Sequence, residues 1–192
     1  MKKKMLGLII LSLTLILTTL TACATTISTP SEDDQAKAAI YAALVHQLYT
    51  VDHNHSEPPN LPIIYLVGAT DDNVGDPHAP KTKSNLLLRS EQEAITDALE
   101  DLPAEFVWVS DSSEVPLVSN SAHVNLPYRT EVVEGNGAII TLGNVHFQED
   151  ESALVSASIY VSNTSAGGLT YIVERIDGVW QVVGDTGVRW TP

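Results

Sequence analysis

The chain reads as one α+β domain in which two helices pack on a mixed sheet of about six strands that ends in a C-terminal antiparallel meander. Three observations predict it. Two amphipathic segments each open on a helix-capping signal, a strand, helix, strand order lies between Leu61 and Val109, and four β-rich runs follow Gly137.

The first residues lie outside that domain. Lys2, Lys3 and Lys4 form a basic start, Met5 to Leu20 an almost unbroken apolar stretch, and the small Thr21 and Ala22 lead to Cys23, the only cysteine in 192 residues. That is the order of a secretory signal segment. A spanning helix needs about 20 predominantly apolar residues, and this run is shorter, with threonines near its end. Leu20-Thr21-Ala22-Cys23 resembles the lipobox of bacterial lipoproteins. The resemblance implies that residues 1–22 are removed, that the thiol of Cys23 takes a diacylglyceryl group, and that the domain is held on the extracytoplasmic side of a bacterial cell membrane. Each buried acyl CH₂ contributes about 0.8 kcal/mol and a single chain attaches only reversibly, so two chains make a stable anchor. Acylation would leave the domain without a thiol, hence without a disulfide, and its stability must come from a core.

Charge narrows the partners. The chain carries 24 Asp and Glu against 10 Lys and Arg, and loss of Lys2, Lys3 and Lys4 makes the balance more acidic still. Nucleic acid is excluded, because its phosphates require clustered Lys and Arg. The net field also opposes flat adsorption on anionic lipid. The membrane is therefore expected as a partner through the lipid on Cys23, beside a protein or small-molecule partner whose identity the composition leaves open.

Residues 23–31 suit a tether, small, polar and interrupted by Pro30. Ala24 to Ser31 reaches at most about 28 Å. A single domain then spans 32–192. Ser31-Glu32-Asp33-Asp34 reads as a helix start, with Ser31 as N-cap and acids in the first turn. Ile40, Leu44 and Leu48 recur four apart with Ala36, Ala39 and Ala43 beside them, which predicts a helix to about Tyr49. His46 lies in it as an ordinary helix histidine. Leu61 to Val67 is a short apolar run between Pro62 and Gly68 and predicts a buried strand. Ser90-Glu91-Gln92-Glu93 reads as a second capping box, opening a helix with Ala94, Ile95, Ala98, Leu99 and Leu102 on one side and Pro103 closing it. Phe106 to Val109 follows as a strand, and the order suggests a parallel crossover pair.

The last third alternates. Gly137 to Val145, Ala153 to Val161, Leu169 to Ile176 and Val179 to Val183 are the four runs, and Val155, Ala157, Ile159 and Val161 alternate with Ser156, Ser158 and Tyr160. Alternation of this kind fits a sheet with one covered face. Asp177-Gly178 is a two-residue hairpin signal, and Gln148 to Glu151 and Thr164 to Gly168 are expected turns. The ending Asp177-Gly178-Val179-Trp180-Gln181-Val182 resembles the final hairpin of nuclear-transport-factor-two-like and related small cone-shaped domains. The likeness spans about twenty residues, the strand, helix, strand unit departs from that family, and no functional residue is carried over.

Motifs for nucleophilic, nucleotide or zinc-protease chemistry are absent: no G-x-S-x-G, no P-loop, no H-E-x-x-H. Ser110, Ser112 and Ser113 beside Asp111 have no positioned base. Two clusters hold ligand-type side chains. His53, His55 and Glu57 form one alternative metal set, since imidazole with carboxylate suits zinc. The other is topological: if Ile63–Val67 and Phe106–Val109 are parallel, the loops after them leave one edge of the sheet, where such units bind ligands. Those loops hold Asp71, Asp72, Asp76 and His78, and Asp111 and Glu114. Gathered carboxylates either stay solvated or share a divalent cation; the calcium-loop frame itself fails, because Thr82 or Lys83 stands where its final Glu belongs. The function expected is a non-enzymatic binding or scaffold domain at the cell surface. A metal-dependent hydrolase using the His and Asp loops is the alternative, and a transport solute-binding role fits less well because the chain offers one lobe.

Overall fold

Ser31 closes the capping box that its sequence predicts. Its Oγ accepts the Asp34 N–H at 3.2 Å, while Asp34 Oδ2 accepts from the Ser31 N–H at 3.2 Å and hydroxyl at 2.7 Å. In the computed structural model, which describes residues 31–52, 61–78, 80–120 and 130–191, helix α1 runs Glu32–Thr50. Strand β1 is Ile63–Val67, helix α2 Arg89–Asp97, β2 Glu105–Val109, β3 Leu117–Asn120, β4 Thr130–Val133, β5 Ala138–Leu142, β6 His146–Phe147, β7 Ser152–Ser162, β8 Ser165–Ile176 and β9 Val179–Trp190. Among the described residues no helix is long and apolar enough to cross a membrane.

The fold is α+β with a mixed sheet, and the parallel crossover is present. β1 lies parallel to β2 on one side and to β5 on the other. From β5 onward the sheet is antiparallel, and β7, β8 and β9 form the expected meander. β7 is its branch point. One edge of β7 carries β6 at Ala153 and Leu154, β5 from Ala157 to Tyr160 and β4 at Ser162, while β8 takes the other edge from Ser152 to Ser162.

The sheet has nine strands rather than about six. β3, β4 and β6 are the additional ones, four, four and two residues long, too short for an alternating pattern to show. β9 also continues past Val183 to Trp190, through Gly184 and Gly187 and two register shifts that absorb them. Gly167 and Gly168 belong to β8, so the turn before it is Asn163-Thr164. Asp177 and Gly178 both have positive φ, 51° and 84°, as a two-residue hairpin loop matched to strand twist requires.

α2 starts two residues earlier than the expected Ser90–Glu93 box suggests. Leu88 is the N-cap and has no side-chain acceptor; only the reciprocal half of the box forms, with Glu91 Oε2 accepting the Leu88 N–H at 2.6 Å. Ile95, Leu99 and Leu102 are buried as expected, whereas Ala94 and Ala98 are exposed. α1 is more deeply enclosed than one stripe implies. Besides Ile40, Leu44 and Leu48, it buries Ala38, Tyr41, Ala42, Val45 and Tyr49, while Ala39 faces solvent. The reason is that α1 packs against both α2 and strands β7 and β9. His46 lies 3.3 Å from Asp101 on the exposed side.

The two faces of the sheet are held differently. Ile64, Leu66, Ile140, Leu142, Val155, Ala157, Tyr171 and Val173 join the helices in the main core. Each large side chain buried there contributes about 1.5–3 kcal/mol relative to exposure. Among the described residues the opposite face carries a smaller buried apolar cluster, Val67, Val115, Val133 and Ile139. It is nonetheless covered, because Ser156 and Ser158 on that face are buried too. The cover is the connection after β1, and small serines leave it room.

Candidate functional site

That connection is built by twin turns. Both β1 and β2 end in a one-turn 3₁₀ segment, Asp72–Val74 and Ser112–Glu114, each preceded by an aspartate with extended backbone. Asp71 Oδ1 accepts the Asn73 N–H and Asp111 Oδ1 the Ser113 N–H, both at 2.9 Å. The parallel strands deliver these turns to one edge, where Asp71 and Asp111 line a cleft of about 430 Å³ with Val67, Lys81, Thr82 and Thr141.

Carboxylates in these loops are engaged with the chain itself. Asp76 Oδ1 accepts the His78 N–H at 2.9 Å, and Glu114 Oε2 the Ser110 N–H at 3.2 Å. The Ser113 hydroxyl and N–H hold the Asp111 carboxyl below the usual carboxylate range. Among the described residues no three of His, Cys, Asp and Glu stand close enough together to hold an ion. Of the acidic set, then, Asp71 and Asp111 share the cleft, and Asp72, Asp76, His78 and Glu114 do not line it. His53, His55, Glu57 and Cys23 lie outside the described residues.

Asp72 has a different role from its neighbours. It is 8% exposed and its two oxygens gather four donors. Asn144 N–H reaches Oδ1 at 2.5 Å, and Thr82 Oγ1 at 2.5 Å, Asn144 Nδ2 at 3.0 Å and His146 Nε2 at 3.1 Å reach Oδ2. A carboxylate only accepts, so the His146 proton sits on Nε2. Burial pushes the Asp72 carboxyl up, but the hydrogen bonds from Thr82, Asn144 and His146 together outweigh it and hold it below the usual range.

Asn144 is the hub of this network. Its Oδ1 accepts from Thr70 Oγ1 at 2.8 Å and Asn85 Nδ2 at 2.6 Å, and its Nδ2 also donates to the Lys83 carbonyl at 3.0 Å. The segment between the strands is thus fastened at Thr70, Asp72, Lys83 and Asn85 to one residue beyond β5, and Thr82 joins the network through Asp72. Asn144, His146 and Thr82 carry no local sequence signal; the Asn-x-His spacing after a strand is too common to single out.

The same connection presses on the sheet at two glycines. A Cβ on Gly75 would stand 2.6 Å from the Leu169 carbonyl and 2.7 Å from Ser156 Oγ. On Gly168 it would meet the Val74 carbonyl and the Trp190 indole nitrogen. Trp190 Nε1 donates to that Val74 carbonyl at 2.6 Å, so the last strand closes over the loop.

A second cleft, about 480 Å³, opens at the far end of α1 between Leu48, Val51, Asp52, Ile159, Arg189 and Trp190. Asp52 Oδ2 there accepts from Tyr171 OH and Gln47 Nε2, both at 3.0 Å. Comparison with protein-family models, curated proteins and solved structures finds no match to this chain.

Proposed function

We propose that the chain is a lipid-anchored extracytoplasmic protein, attached to a bacterial cell membrane through Cys23, whose domain binds or scaffolds a partner instead of transforming a substrate. The observation that carries the reading is the order of Lys2–Lys4, the apolar Met5–Leu20 and Leu20-Thr21-Ala22-Cys23, with no other cysteine in the chain. The binding half draws support from the loop carboxylates, which cap turns or pin the loop to the sheet and leave the clefts to recognition. In bacteria that process the chain, Cys23→Ala should abolish labelling by a fatty-acid analogue and leave the uncleaved precursor. Equal labelling of the variant would remove the lipoprotein reading.

The metal-dependent hydrolase alternative rests on Asp71 and Asp111 sharing one cleft. Lys81 lines the same cleft, and its positive charge opposes the entry of a further cation there. Titration calorimetry of the purified full chain with calcium and zinc is therefore expected to show no heat at millimolar ion, and the thermal midpoint to stay unchanged. A midpoint that rises with ion, and a rise lost in Asp71→Asn with Asp111→Asn, would show a cation site in this cleft, and hydrolysis of a test ester that needs the same ion would then favour the hydrolase alternative.

A further inference from the structure

The connection between β1 and α2 ends in Lys81-Thr82-Lys83-Ser84-Asn85-Leu86-Leu87-Leu88-Arg89, which holds three of the chain's ten Lys and Arg. It is rigidly extended. The Thr70 N–H donates to the Asn85 carbonyl and the Leu87 N–H to the Gly68 carbonyl, both at 2.9 Å, and Asn85 N–H donates to Thr70 Oγ1 at 2.8 Å. An extended strip fastened this way turns alternate side chains in opposite directions. Leu87 goes inward and is 8% exposed, whereas Leu86 and Leu88 are left 75% and 61% exposed. Two leucines are thus displayed side by side on a backbone that is not free to bury them.

Their position relative to α1 matters. Leu86, Leu87 and Leu88 line a cleft of about 390 Å³ together with Asp34, Lys37 and Glu91. Asp34 belongs to the first turn of α1 and bonds Ser31, the residue at which the tether from Cys23 arrives. With eight tether residues of at most about 28 Å, this is the end of the domain nearest any membrane that holds the anchor.

We infer that Leu86 and Leu88 form a membrane-contact strip, inserting into the interfacial layer of the bilayer that Cys23 anchors. The inference rests on the lipid-anchor reading and adds an orientation to it: the α1 N-terminus faces the bilayer and the cleft at Asp52 and Arg189 faces away. The apolar pair carries the contact, because the charges around it nearly cancel. Lys37, Lys81, Lys83 and Arg89 stand against Glu32, Asp33, Asp34, Glu91 and Glu93, and Arg89 is already paired with Glu93 at 3.0 Å. Local balance is what lets an acidic domain approach, and the long Lys stems reach headgroups from beside the leucines.

The acylated thiol makes the test clean, since an added cysteine is then the only reactive one. Full-length lipidated chain carrying Leu86→Cys, labelled with an environment-sensitive fluorophore, is reconstituted in phosphatidylcholine vesicles bearing nitroxide-labelled acyl chains. Val51→Cys is the control, another well-exposed apolar position about 25 Å further along α1. Quenching at position 86 should exceed that at position 51 several-fold, and Leu88→Glu should bring it down to the control level while flotation with the vesicles is unchanged. Equal quenching at the two positions in chain that floats would overturn the membrane strip and leave the anchor standing. Chain that neither floats nor carries acyl label would remove the anchor, and the strip with it.

Discussion

Asp72→Ala should destabilise the domain by about 3 kcal/mol, because it removes the acceptor for four donors and leaves the half-buried Asn144 N–H without a partner. For a chain of this size that is a fall of roughly 6–12 °C in the thermal midpoint. Asp71→Ala, one residue away, removes a single exposed cap and should cost at most about 1 kcal/mol. Acid should reveal the same group. The Asp72 carboxyl lies below its ordinary value in the folded state, so the stability it adds is complete above about pH 4 and is lost as pH falls through the folded value. Thermal melts between pH 7 and pH 2 check this: wild type should lose more stability on acidification than Asp72→Ala, and parallel curves would contradict it.

Gly168→Ala should cost a similar amount through a different cause. The new methyl would stand where the Val74 carbonyl is, and backbone at that point is held by the Trp190 indole on one side and by the twin turn on the other. Overpacking of this kind costs about 1–3 kcal/mol, with the indole bond lost in addition. Gly184→Ala in β9 has nothing within 4 Å of the added carbon and should be close to neutral. Denaturant melts of the two variants give the comparison, and equal midpoints would mean that the loop does not bear on the sheet.

What could be read from the chain was what is local. The Ser31 box, the Asp177-Gly178 turn and strand β7, marked by its Ser/Val alternation, each follow from neighbours within a few residues, and each is present. The parallel pair was legible too, since strand, helix, strand permits few topologies, and it correctly places Asp71 and Asp111 at one cleft. The serine face reads as solvent-exposed because nothing near Ser156 indicates that residues around Gly75 will lie on it. Asp72 reads as one acid among many because its main partner, Asn144, lies beyond β5. β4 meets β7 at a single pair, Val132 and Ser162, which leaves no pattern in either strand. Long-range polar contacts have no period, and that is where sequence reading stops.

The branch at β7 bears on how the chain fares before it is folded. β7, β8 and β9 zip up from short turns with little loop entropy, but β1 must close a long loop to reach β5, where Ile64 faces Ala138. Until Leu142 has been made, β1 has β2 as its one sheet neighbour, and one edge of Ile63-Ile64-Tyr65-Leu66-Val67 stands bare. Five uncharged β-forming residues with an open edge are the kind of segment that pairs with other chains. Pro62 before it and Gly68 after it act as breakers at both ends, and they confine that exposure to a segment too short to recruit a long intermolecular strand.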